Sequence, residues 1–149
     1  MDQDLAYQEY DAFVKNLKAT YPRLFDQKYG GVECGAGWWS IIHSLCAAIQ
    51  NHIDWQINTA EHAAKLGKPV PEVAPQVVVK QIKEKFGGLR FYYDGGDDYI
   101  RGLVSMAEAW AAKSCEECGA PGARRSSGWI KTLCDTHHNL RESRKQSGV

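Results

Sequence analysis

Cys115-Glu-Glu-Cys118 and Cys134-Asp-Thr-His137 are separated by fifteen residues, giving the pattern C-x2-C-x15-C-x2-H. A two-residue gap lets both members of each pair reach one ion, so any fold of this chain must bring the two pairs together. Cys115 and Cys118, with Gly119 behind them, read as a zinc knuckle. Pro121-Gly122 makes a turn, and Trp129 to Leu133 reads as a strand. Cys134 and His137 then lie three residues apart, on one side of a helix's first turn, with Asp135 as its cap. Knuckle, hairpin and ligand-bearing helix make the treble-clef plan, and a two-knuckle zinc ribbon is the near alternative. His138 is the alternative fourth ligand to His137. Four protein ligands close the coordination shell, which points to a structural zinc ion rather than a catalytic one.

The other two cysteines, Cys34 and Cys46, make the total five, an odd number that argues against a disulfide framework. A chain of 149 residues holds one domain with a core and room for a small appended module. No stretch approaches the roughly 18 apolar residues of a membrane span. The acidic start Met1-Asp-Gln-Asp is unlike a signal peptide, so a cytoplasmic protein is expected. Net charge is zero but uneven: residues 1–61 carry 4 basic and 8 acidic side chains, residues 113–149 carry 7 and 4. The acidic and basic ends could pair between copies of the chain or equally face water, and the basic end suits an anionic partner.

Apolar spacing predicts a helix over residues 4–18, closed by Tyr21-Pro22, since the residue before proline avoids the α region. Residues 29–37 follow as a loop with four glycines in its last eight positions, a density that implies tight turning or close backbone approach. Trp38, Ile42, Leu45, Ile49, Ile53 and Ile57 form the stripe of a long helix ending near residue 64. From Val77 the period becomes two. Gly87-Gly88 suits a primed two-residue turn, pairing Phe86 with Leu89, Glu84 with Phe91 and Ile82 with Tyr93 on the buried face. Gln81, Lys83, Lys85, Arg90 and Tyr92 fall on the exposed face. A third helix, capped by Asp97 or Asp98, carries Ile100, Leu103, Val104, Ala107, Trp110 and Ala111. Disorder is expected only from about Arg144.

The fold class is therefore α+β: helices packed on a β-hairpin over residues 1–112, and a treble-clef-like finger at 113–149 docked on them almost without linker. Arg124, Arg125, Trp129 and Lys131 are the finger's candidate binding residues, and Lys83, Lys85, Arg90 and Tyr92 extend that surface onto the hairpin. Phosphate contact and base stacking would use such side chains. Cys34, in a glycine loop before a helix, is a distant candidate nucleophile with His43 or His52. His43, His52 and His62 otherwise read as satisfied histidines. No P-loop, dinucleotide fingerprint or HExxH is present.

Three stretches together resemble a group of small, uncharacterised proteins of tailed phages and prophages. They are Cys34-Gly-Ala-Gly-Trp38, Gln81-Ile-Lys-Glu-Lys-Phe-Gly-Gly-Leu-Arg-Phe-Tyr-Tyr93, and Cys115-Glu-Glu-Cys-Gly-Ala-Pro-Gly122 with Gly128-Trp-Ile-Lys-Thr-Leu-Cys-Asp-Thr-His137. The resemblance covers roughly residues 29–137 and implies action in a bacterial host's cytoplasm. It carries over no activity. The expectation is a non-enzymatic accessory protein that binds a host protein or complex, an inhibitor of a host enzyme or defence system being one such binder. A nucleic-acid-binding protein is the alternative.

Overall fold

The computed structural model describes residues 3–26, 28–29 and 31–148. Its elements run α1 (Gln3–Thr20), β1 (Val32–Glu33), a single 3-10 turn (Ala36–Trp38), α2 (Trp39–Lys65), β2 (Val78–Lys85), β3 (Gly88–Asp94), α3 (Asp98–Ala111), β4 (Ala123–Arg125), β5 (Lys131–Leu133) and α4 (Asp135–Gln146). The architecture is α+β, as the patterning predicts.

The central helix α2 is the spine. Ile42, Leu45, Ile49 and Ile53 are buried along it, and Trp38 is fully buried just ahead of it. Its end is closed by Gly67 at φ +67, with Gly67 donating to Ala64 O and Lys68 to Ala63 O. That double bond pattern satisfies carbonyls the helix leaves unpaired, and the left-handed residue suits glycine. The α1 helix lies over the start of α2, where Phe13 stacks on Trp39 at 4.6 Å between centroids. The α3 helix packs Ile100, Val104, Ala107 and Ala111 inward. Asp97 caps it by accepting from Ile100 N at 3.0 Å, the orphan-amide chemistry expected at that position. Trp110, assigned to the buried stripe by its spacing, is instead exposed.

The sheet has the order β1-β2-β3, with β1 parallel and β3 antiparallel to β2. The hairpin differs from its expected register by two. Glu84 faces Leu89, Ile82 faces Phe91, and Lys85 closes on Gly88, so the turn residues are Phe86 and Gly87. A shift of two keeps each side chain on its face, so Ile82, Leu89 and Phe91 are buried as anticipated. Phe86 is not: it sits at the turn with φ +52 and is 66% exposed. An irregularity at Lys80 breaks the pairing between Val79 and Gln81. The extra residue switches the alternation, which is how odd-numbered Val77 and Val79 share the core with even-numbered Ile82.

The finger is bonded directly to the rest. Gly37 N donates to Glu116 O at 2.8 Å, Trp38 Nε1 to Ser114 O at 2.9 Å, and Thr132 Oγ1 to Gly87 O at 2.6 Å. Strand β5 is shorter than expected, Lys131–Leu133, and α4 runs through Gln146 where disorder was expected from Arg144. Lys145 explains the difference: its Nζ donates to Ser127 O at 3.0 Å and pairs with Glu142, tying the helix end to the finger loop. Gly30 of the glycine loop lies outside the described residues.

Glycine at position 37 is demanded by contact. A Cβ there would stand 2.1 Å from Cys115 O and 2.6 Å from Gly119 N. Gly37→Ala should destabilise the protein by about 2 kcal/mol or more, since backbone on the other side cannot rotate away. Urea denaturation of the two proteins measures this.

Candidate metal centre

Two local structures aim the four donors. In the knuckle, Gly119 N donates to Cys115 O at 2.8 Å and Cys115 N to Ala120 O at 2.7 Å, with Gly119 at φ +79. At the other end Cys134 is itself the N-cap of α4, its sulfur accepting from His137 N at 3.4 Å. Asp135, expected as the cap, is one residue further on. It is the helix's first residue, where its charge suits the positive end of the dipole and pairs with Arg125 at 2.8 Å. The His137 amide also holds the Cys134 thiol below its ordinary pKa, favouring the thiolate that a metal needs.

The ligand atoms of Cys115, Cys118, Cys134 and His137 all lie within 4.8 Å of one another. Cys118 Sγ and Cys134 Sγ are 3.8 Å apart, and Cys115 Sγ is 3.6 Å from His137 Nδ1. A tetrahedron with metal–sulfur bonds of ~2.3 Å and metal–nitrogen bonds of ~2.0 Å requires edges of ~3.8 Å and ~3.5 Å. These two edges suit a tetrahedral ion of zinc's size with His137 offering Nδ1, and the remaining donor pairs, all within 4.8 Å, would need to shift only slightly around it. His138 is not in the group; its Nδ1 is buried without a hydrogen-bond partner. Cys115 is fully buried, Cys134 nearly so, His137 half-buried and Cys118 exposed. All four tetrahedral positions would belong to the protein, so an ion bound here would hold the finger together rather than activate a water.

Glu116, between the first two ligands in sequence, supports the site from behind. Its side chain is buried, and Oε2 accepts from Gly35 N at 2.9 Å while Oε1 lies 3.5 Å from Lys131 Nζ. Its backbone accepts from Gly37 and donates to Thr132 O. In the sequence Glu116 is simply one of the two residues between the first ligand pair. Its position between two ligands, opposite a glycine loop far away in the chain, gave no local sign of this role.

The candidate binding residues separate into engaged and free groups. Arg125 donates to Leu133 O and pairs with Asp135, and Lys131 pairs with Glu116. Arg141 donates to the carbonyl of Trp129. Arg124 is exposed, Trp129 is 72% exposed and Tyr92 42%. Arg90 turns its guanidinium back onto Leu89 O at 3.0 Å. Lys83 and Lys85 line a groove of about 380 Å³ with Glu84, Phe86, Gly128, Trp129 and Ile130. This groove joins the hairpin tip to the finger loop. Trp129 and the hairpin lysines Lys83 and Lys85, expected to share one surface, line this groove together, and Phe86, assigned to the core, is its missed member.

Burial pushes the Cys34 thiol up to about 12, with Glu116 and Glu84 adding to it, which is opposite to the activation a nucleophile needs. His43 meets Tyr21 Oη at 3.2 Å and His52 meets Asp97 at 2.9 Å, so both are partnered away from Cys34. Among the described residues no helix is long and apolar enough to cross a membrane. No protein-family model, curated protein or solved structure matches the chain.

Protein purified without chelator should carry one metal ion per chain by elemental analysis, and Cys118→Ser should lose most of it with a fall in melting temperature. Clearly less than one ion would contradict the site. With metal bound, Cys34 and Cys46, whose thiol burial also raises to about 12, should resist alkylation at neutral pH, read by mass spectrometry of the labelled peptides.

Proposed function

We propose that the protein is a zinc-stabilised, non-enzymatic binding protein whose contact surface is the groove between the hairpin tip and the finger loop, and whose partner is a protein. The carrying observation is Phe86. It is a bulky side chain held at φ +52, two-thirds exposed, beside the equally exposed Trp129. A non-glycine residue in the left-handed region costs about 1 kcal/mol, and such strain tends to survive where function needs the side chain. A primed turn at this site would be satisfied by Asn or Gly, so the fold alone does not call for phenylalanine. Exposed aromatic side chains next to lysines, Lys85 Nζ lying 5.9 Å from the Phe86 centroid, have the composition of an interface core with a polar rim.

Zinc is the ion this reading assigns, from three thiolates and one imidazole in a closed tetrahedral set. Its removal would free the finger and so dismantle one wall of the groove. On the motif resemblance to phage and prophage proteins, the partner is a bacterial host protein or complex, a host enzyme or defence system being the class such a binder would block in the cytoplasm.

Nucleic acid remains the second reading because of a separate groove of about 370 Å³ lined by Lys131, Arg141 and Arg144 near the metal ligand His137. Two of those three cations already have partners within the chain, which favours the aromatic groove.

Phe86→Asn should keep or raise the melting temperature, because asparagine tolerates the left-handed conformation, and should keep the metal content. Phe86→Asn and Trp129→Ala should each weaken partner binding about thirtyfold, ~2 kcal/mol, as central aromatic anchors do. Affinity capture from host lysate with wild type and both variants, followed by titration of the captured protein, measures this. An unchanged captured set would overturn the reading. So would tight DNA or RNA binding with a steep salt slope in fluorescence anisotropy, since counterion release marks phosphate recognition.

A further inference from the structure

The α3 helix is apolar on both sides. Its inner side, Ile100, Val104, Ala107 and Ala111, is buried. Its outer side carries Tyr99, Met106 and Trp110, which are 60%, 68% and 58% exposed, with half-buried Leu103 beside them. The 4-3-4 spacing of Tyr99, Leu103, Met106 and Trp110 is that of a helix seam. Between the large residues lie exposed Gly102, Ser105 and Ala109, and the charges stand towards the ends: Asp98, which also pairs with Arg101 of its own helix, and Lys113 in the turn just past it. Trp55 of α2, 63% exposed, continues the patch.

Gly102 is the telling position. Glycine inside a helix costs about 1 kcal/mol relative to alanine. A Cβ at Gly102 would meet nothing within 4 Å in this chain, so nothing in the monomer requires its absence. The close approach of another helix would.

We infer that this face binds a second copy of the chain, the two α3 helices crossing antiparallel about a two-fold axis between Ser105 and Met106. That axis sets Asp98 against Lys113 of the second copy and Gly102 against Ala109 of the second copy, at both ends at once. The sequence is therefore self-complementary in charge and in size, as an isologous interface requires. Antiparallel packing also opposes the helix dipoles favourably. Tyr99, Met106, Trp110 and Trp55 together expose on the order of 500 Å² of apolar surface, so two copies would bury about 1,000 Å², the lower bound for a specific interface. A groove of about 140 Å³ between α2 and α3, lined by Leu45, Ala48 and Leu103 beside Met106 and Trp110, offers a recess for an aromatic ring of the second copy.

Sedimentation equilibrium of the metal-loaded protein from about 1 to about 200 µM, which brackets a dissociation constant in the micromolar range, should show a reversible monomer–dimer equilibrium. Met106→Glu places two carboxylates near the axis and should give a monomer with unchanged melting temperature and metal content, because the side chain is exposed in the single chain. Gly102→Leu should raise the melting temperature of dilute protein while weakening the dimer roughly tenfold or more. Asp98→Lys should weaken it, and Asp98→Lys with Lys113→Asp should restore it. Carbodiimide should join Asp98 of one copy to Lys113 of the other. A monomer at every concentration would overturn the inference and leave the face to a foreign helix. A dimer insensitive to Met106→Glu would overturn it by showing that a different face pairs.

Discussion

The close backbone contact between the loop at Gly35–Gly37 and the knuckle at Cys115–Gly119 underlies the rest of the structure. Two segments about eighty residues apart approach so tightly that a Cβ at either Gly35 or Gly37 would lie within 2.4 Å of a backbone oxygen. Glu116 serves both sides of the contact, through its carbonyl to Gly37, its carboxylate to Gly35 and its ion pair with Lys131. A buried carboxylate is tolerated only with such partners. Because the knuckle also carries two of the candidate metal ligands, the geometry of the candidate metal centre and the seating of the finger depend on the same contact.

A second bridge, Thr132 to Gly87, fixes the other end of the finger against the hairpin tip. The two bridges together place the loop bearing Trp129 beside the turn bearing Phe86. Neither bridge uses a large apolar surface. The small buried cluster of Cys115, Leu133 and Cys134 is separate from the main core. The module therefore rests on directional hydrogen bonds, and an ion held by the four candidate ligands would lock the same geometry.

Local features of the chain were readable. The ligand set, the long α2 stripe, the Asp97 cap and the buried set Ile82, Leu89 and Phe91 all follow from spacing within a few residues. What was misread depended on distant contact. The turn fell at Phe86-Gly87 instead of Gly87-Gly88, and Gly87 there is held by Glu84 Oε1 at 2.7 Å and by Thr132 of the finger. Trp110 carries the spacing of a core residue and is exposed, since one apolar helix can have two apolar sides and periodicity does not say which is covered. The density of glycine at 30–37 announced a close approach without naming what approached.

By itself the sequence determined the four candidate metal ligands that the fold brings together and the alternation of helix and strand, because a two-residue ligand gap and a repeat of 2 or 3.6 are local geometry. The tertiary structure decided which cations are free, where Phe86 stands, and that the glycine loop belongs to the metal centre. Those depend on which distant backbone lies across a gap too narrow for a side chain. No spacing along the chain encodes that distance.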